Sequence, residues 1–236
     1  MTFIEPDLIS IAAGPVTLGA PVAPSDGSFP HRWKGPRSVA VGAFEIARNP
    51  VTRREYELFL KDSKPELPVD WGDPALQDPR QPVCGVSACD ADTYCRWLSE
   101  KSGRRYRLPH ADEWEKAARG GLEGKKFPWG DDDPKALACF GGTEKEAPRS
   151  VGSYPANGYG LNDMVGNVWQ WLADLYREVA ADEPKNTPTG KPAALNRVLV
   201  GGSFMTGNEK FLWVAYRHED PPDLRHRCLG FRLARE

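Results

Sequence analysis

The residues best able to do chemistry gather near the end of the chain, where His218, Glu219, Asp220, Asp223, His226 and Cys228 lie within eleven positions, interleaved with Arg217, Arg225 and Arg227. Two imidazoles and three carboxylates are the ligand types used by iron, manganese or cobalt sites that activate a substrate or dioxygen. The same composition also suits a solvated loop whose acids pair with its arginines, and the residue types leave both readings open. A second concentration is LNDMVGNVWQW, residues 161–171, in which Asp163, Gln170 and the carbonyls of a Gly166-Asn167 turn could surround a hard cation such as calcium. Its alternative is a tight turn beside buried tryptophans. His31, alone in a polar stretch, and His110, ahead of a helical pattern where it can cap free N–H groups, read as structural.

Generic motifs are missing. The chain has no GxGxxG, P-loop, GxSxG, HExxH or EF-hand loop, and Gly201-Gly202-Ser203 is not followed by a helical pattern that could make it a phosphate cradle. The five cysteines form no CxxC and are odd in number, so at least one stays unpaired, which fits a reducing compartment. The first residues carry Glu5 and Asp7 where a signal peptide needs positive charge, so we expect an unexported, cytoplasmic protein. A near balance of 31 Lys and Arg against 33 Asp and Glu gives no basic footprint, and nucleic acid is not an expected partner. Long apolar runs are also missing, which excludes a membrane-spanning segment.

The elements that must position these residues are short. Ile9, Ile11, Val16 and Leu18 alternate as two strands about a turn at Gly14-Pro15, and Val39, Val41, Phe44 and Ile46 form a third. Thr52 with Glu55 is a capping box that opens a helix carrying Tyr56, Phe59 and Leu60. Ala91, Tyr94, Cys95 and Leu98 fall at helical spacing and stop at Gly103, which makes Cys95 a core residue, and a third helix after Pro109 buries Trp114, Ala117 and Ala118. Residues 121–160 show almost no periodicity. Strands return at Val198–Phe204, Phe211–Tyr216 and Leu229–Leu233 around a polar loop, HEDPPDLRHRC. Mixed strands and helices without a βαβ repeat predict one loop-rich α+β domain over residues 1–236.

Blocks of sequence go further. PVCGVSACDADTYCRWLSEKSGRRYRLPHADEWEKAARGG, FPWGD, VGSYPANGYGLNDMVGNVWQWLAD, RVLVGGSF and LGFRLARE occur in order, with ISIAAGPVTLG and FEIARNPVTRREYELF before them. Together they resemble the formylglycine-generating enzyme, or sulfatase-modifying factor, family across nearly the whole chain. The resemblance implies a loop-rich fold related to C-type lectins with short mixed sheets. It spans several activities, from cysteine oxidation in sulfatases to oxidative tailoring of natural products and non-catalytic ligand binding.

What the resemblance implies for single residues is mixed. Family members that make formylglycine hold copper through two cysteines after the Gly-Gly-Ser-aromatic block, but here Thr206 stands in the first place, Phe211 falls in the second if no gap intervenes, and no cysteine lies between Cys139 and Cys228. No copper–cysteine site and no formylglycine formation are therefore expected. The family's calcium site maps to Asp163, Gly166, Val168 and Gln170, with Gln170 in place of a glutamate. The active cleft maps to Trp169, Ser203 and Phe204, with Thr206, Phe211 and Trp213 as further substrate contacts and Arg217 to orient an anionic group. The expected function is metal-dependent oxidative tailoring of a small metabolite or peptide, with the metal on His218, Glu219, Asp220, Asp223 and His226. The alternatives are a non-catalytic binding module that uses the tail loop, or an accessory subunit that docks a protein partner through residues such as Trp213 and Leu224.

Overall fold

The computed structural model describes residues 3–20, 35–143, 145–176 and 195–236, and His31 lies outside them. Two antiparallel pairs open the fold: β1 (Leu8–Ile11) on β4 (Phe44–Ala47), and β2 (Gly14–Leu18) on β3 (Arg37–Val41). The run expected as one strand over 39–46 is thus two. Both partners break at the same level, at 12–13 and 42–43, where Ile11 faces Phe44 and Gly14 faces Val41, so one long ribbon passes from one sheet into another. Gly14 and Pro15 consequently begin β2 and do not form the turn.

The three α-helices among the described residues follow their caps. In α1 (Arg53–Ser63) the Thr52 hydroxyl accepts the Glu55 N–H while Glu55 accepts the Thr52 N–H at 2.7 Å, and Tyr56, Phe59 and Leu60 are buried. Ser87 and Asp90 repeat the device for α2 (Ala88–Ser102), which ends at a left-handed Gly103 and buries Cys95. In α3 (Ala111–Arg119) the donors are met by carboxylates, Glu113 accepting the His110 N–H at 2.8 Å and Asp174 the Ala111 N–H at 2.7 Å. The His110 ring lies 3.4 Å from Asp174, and that contact raises its pKa above 6.5. Tyr56 and Tyr94 stack at 5.5 Å, and Phe231 meets Tyr94 edge-on at the same separation, so α1, α2 and the C-terminal segment share one aromatic core.

The C-terminal third departs from the expected strands. β7 (Arg197–Val200) stops early because Gly201 and Gly202 turn the chain at φ 88° and 68°. Residues 211–216 are not a strand; a 3-10 turn at Glu209–Leu212 leads into further turns. β8 (His218–Asp220) lies inside the segment read as a loop. Of the run 229–233 only Leu229–Gly230 is a strand, β9, and the next, β10 (Ala234–Arg235), starts beyond it, because the chain crosses between sheets at 231–233. One sheet has the order β1-β4-β10-β5, with β5 at Tyr106–Arg107, and another the order β8-β7-β6-β9, with β6 at Trp169–Leu175 paired parallel to β9. This second sheet carries Trp169, Gln170, His218, Glu219 and Asp220 of the residues singled out in the sequence. As expected, the middle of the chain is almost without regular structure, with turns and one 3-10 turn at Pro134–Ala136.

Candidate functional site

The Gly201-Gly202 turn sets the site. A Cβ on Gly201 would stand 2.7 Å from the Met164 carbonyl, and one on Gly202 2.7 Å from a Leu212 methyl, so the close turn and its positive φ angles require glycine. It delivers Ser203, which is 1% exposed. The Ser203 N–H donates to Thr206 Oγ1 at 2.8 Å, and the Ser203 hydroxyl accepts the Met205 N–H at 3.3 Å. Phe204 is held beneath by its N–H to the Asn167 carbonyl, 2.9 Å. Trp169 begins β6, gives its N–H to the Cys228 carbonyl at 2.9 Å, and meets the rings of Phe211 at 6.3 Å, Tyr216 at 6.2 Å and His218 at 5.3 Å. Cys228, whose carbonyl meets Trp169 and whose sulfur meets the Ser203 hydroxyl, joins Trp169, Phe211 and His218 to Ser203 and Thr206 as one polar and aromatic wall, with Phe204 under it. Trp213 is half-buried beneath the Lys126 ammonium, 5.2 Å from its ring centroid, whereas Leu224 is exposed.

The tail residues do not gather at one point. On β8, His218 and Asp220 share a face, Nε2 to Oδ2 being 3.4 Å, while Glu219 points to the other face and accepts from Asn196 at 3.2 Å. Asp223 and His226 are exposed on the following turn. Among the described residues no three His, Cys, Asp or Glu side chains converge as a metal site requires. The donor set seen here therefore does not fit a divalent transition metal.

His226 has a different partner, its Nδ1 lying 3.0 Å from Cys228 Sγ. Burial pushes the Cys228 thiol up to about 11, against a hydrogen bond from the Ser203 hydroxyl. Arg225 clamps the turn to α2 with two bonds to Asp90, at 2.7 and 2.8 Å. Burial raises the Asp90 carboxyl, but the Arg225 and Ser87 bonds outweigh it and hold Asp90 below its ordinary range.

Arg217, expected to orient an anion, is 7% exposed and bonds the Glu115 carboxylate and the carbonyls of Val214, 2.9 Å, and Tyr216, 3.1 Å. Glu115, 2% exposed, also accepts from Arg119 Nε at 3.0 Å and from the Gly19 N–H at 2.7 Å. Two guanidiniums share this one buried carboxylate, and the arrangement fixes Arg217 against α3 ahead of β8.

The residues mapped to calcium form a closed network. Gln170, fully buried, accepts from Trp114 Nε1 at 3.1 Å and Arg232 Nε at 2.6 Å, both donors only, so its amide nitrogen faces the carbonyls of Asp163, 2.9 Å, and Met164, 3.2 Å. Arg232, also fully buried, donates to the carbonyls of Ala47, Arg48, Asn162 and Asp163 at 2.8–3.2 Å, and burial lowers its pKa to about 9. Asp163 Oδ2 accepts the Gly152 N–H at 2.7 Å and Oδ1 faces Asn167 Nδ2 at 3.3 Å. Burial raises the Asp163 carboxyl all the same. Asp163 and Asn167 hold left-handed φ angles of 49° and 63° on either side of Gly166 at 74°. A guanidinium and an amide N–H where a cation would need oxygens do not fit calcium at Gln170. Val168, fully buried, packs in this turn beside Cys84.

Sequence reasoning missed Arg232, although an arginine between Phe231 and Leu233 in an apolar run signals a buried cation. It also named Cys228 and His226 separately without pairing them.

Comparison with known proteins agrees with this fold. The domain description "Sulfatase-modifying factor enzyme 1-like" matches residues 2–236. The chain is 30% identical to the formylglycine-generating enzyme of Bos taurus over 96% of its own length and 74% of that protein's. With the formylglycine-generating enzyme of Streptomyces coelicolor it shares 36% identity over 67% of the chain, reaching about half, 54%, of that relative. Among solved structures, PvdO from Pseudomonas aeruginosa superposes with a TM-score of 0.79 at 28% identity, covering 98% of this chain and 94% of that one. Treponema denticola variable protein 1 gives 0.76 at 25% identity, covering 97% and 94%. CarF, at 21% identity and a TM-score of 0.72 over 98% of both chains, shares the fold. No helix among the described residues is long and apolar enough to cross a membrane. The chain belongs to the formylglycine-generating enzyme, or sulfatase-modifying factor, family.

Proposed function

We propose that this protein is a tailoring enzyme that modifies a small metabolite or peptide side chain, by oxidation in keeping with its family, at the wall built from Trp169, Ser203 and His218. One observation carries the reading. Where the resemblance places the family's cysteine pair, Thr206 is buried and bonded to the Ser203 N–H, and Phe211, the second place if no gap intervenes, packs on Trp169 and Tyr216 at 6.3 and 5.0 Å beside Ser203's turn. Copper held by paired thiolates is thereby replaced by a hydroxyl and a phenyl ring, neither of which binds a soft ion, so formylglycine is not the product. The similarity to the formylglycine-generating enzyme of Bos taurus over nearly all of this chain supports a catalytic member without making its substrate this chain's substrate. Oxygen uptake against a panel of small metabolites and cysteine-bearing peptides, with product masses, tests the reading; turnover that survives His218→Ala and Trp169→Ala sinks it.

A second reading is a ligand-binding module, one of the roles that the family resemblance spans. Saturable binding without turnover across the same panel selects it.

A further inference from the structure

Resting on the reading of this wall as a site, a second feature assigns it a nucleophile. Cys228 is 8% exposed and stands just ahead of β9, with its carbonyl fixed by the Trp169 N–H. His226 is exposed, and its carbonyl accepts the Leu229 N–H at 2.8 Å, closing a turn that holds the imidazole Nδ1 3.0 Å from the sulfur. The result is a thiol within the wall and a base at its lip that can exchange a proton with water. The other cysteines lack this arrangement among the described residues: Cys84 and Cys95 are buried with strongly raised thiol pKa values, Cys84 Sγ donates to the Pro82 carbonyl at 3.5 Å, Cys139 bonds Tyr154, and Cys89 is exposed on α2.

The neighbouring cations are engaged. Arg225 is bonded to Asp90 and lies 2.6 Å from Glu66, Arg227 lies 3.2 Å from Asp73, and Arg217 is bonded to Glu115. A group that meets the sulfur therefore meets a hydroxyl, an imidazole and an aromatic face, which suits a neutral carbonyl better than a carboxylate or phosphate.

We propose that Cys228 is a nucleophile that takes an acyl group from a neutral ester or thioester, with His226 as its general base. The Cys228 Sγ–H proton passes to His226 Nδ1 as the sulfur bonds the carbonyl carbon. The carbon–oxygen or carbon–sulfur bond to the leaving group then breaks, and the imidazolium returns the proton to that group. No electrons change hands, and the acyl thioester is the product. Burial keeps the free thiol protonated, so the attack depends on the base and not on a standing thiolate.

The probe is p-nitrophenyl acetate on the folded full chain, read by nitrophenolate release and by peptide mass mapping of acetylated cysteines. Cys228 is expected to acetylate faster than the exposed Cys89. His226→Gln should slow Cys228 on the order of 10²-fold while leaving Cys89 unchanged, an internal control for folding. In His226→Gly, imidazole added to the buffer should restore the rate. Acetylation of Cys228 only after denaturation, or at an equal rate in His226→Gln, overturns the proposal. Acetylation of Cys228 as expected, with no metabolite turned over, would sink the tailoring reading and leave this one standing.

Discussion

Replacing Gln170 by glutamate restores the family's ligand type at the centre of a network built for an amide. The carboxylate still accepts from Trp114 Nε1 and Arg232 Nε, but its second oxygen faces the Asp163 and Met164 carbonyls, 2.9 and 3.2 Å from the present amide nitrogen. The Met164 carbonyl loses its donor at about 1–3 kcal/mol, the Asp163 carbonyl keeps its bond from Arg232, and a charge-assisted bond to Arg232 returns roughly 1–2 kcal/mol. Repulsion between the carboxylate and both carbonyls tips the balance to a net loss of about 1–2 kcal/mol, which lowers the melting temperature by roughly 2–8 °C for a chain of this size. Calcium should reverse much of that loss in Gln170→Glu, because an ion between the new carboxylate and the two carbonyls removes their repulsion, and should leave the wild type unmoved. The assay is a thermal melt of both proteins in chelator and in millimolar calcium. A variant as stable as the wild type in chelator, or a wild type stabilised by calcium, would refute the reasoning.

Four further outcomes follow from other contacts in the fold. Glu115→Gln leaves the guanidiniums of Arg119 and Arg217 sharing one neutral amide and should cost about 3–5 kcal/mol in denaturant unfolding, with the tail loosened first in hydrogen exchange. Gly202→Ala meets both a φ of 68° and the Leu212 methyl, and should lower stability by about 1–3 kcal/mol, where Gly207→Ala, with open space around it, should have little effect. The His110 pKa is raised by its bond to Asp174, so this contact contributes stability that is complete below pH 6.5 and is lost as pH rises through the raised value; His110→Gln should remove that step from a plot of stability against pH. Asp90 has the opposite sign. Its depressed pKa means the Arg225 clamp persists well below neutrality and fails only in strong acid, and Asp90→Asn should show a weakened tail at every pH.

What the sequence made legible was local or shared by resemblance. The capping box at Thr52, the stop at Gly103 and the stripes of Tyr56, Phe59, Ala91, Tyr94 and Leu98 settle their helices, because caps and periodicity act within a few residues. The breaks at 42–43 and 231–233 were not legible, since alternation continues through them and only the partner strands decide where one sheet gives way to another. For the site, the types in the tail were noticed but their directions were not: β8 divides Glu219 from His218 and Asp220, and the 226–229 turn spends His226 on Cys228. Arg217 and Gln170 carry the same lesson, because the carboxylate and the guanidinium that engage them, Glu115 and Arg232, are 102 and 62 residues away in the chain.

The central claim is that the wall of Trp169, Ser203 and His218 modifies a small molecule or peptide without the paired-cysteine chemistry of its family. The most direct measurement is product mass spectrometry with oxygen uptake over the metabolite and peptide panel, comparing the wild type with His218→Ala at matched melting temperature and with copper withheld or supplied. The account predicts a modified product that copper does not enhance, that is lost in His218→Ala, and that is never formylglycine. Copper-stimulated conversion of a cysteine peptide to formylglycine, or turnover untouched in His218→Ala, would contradict it.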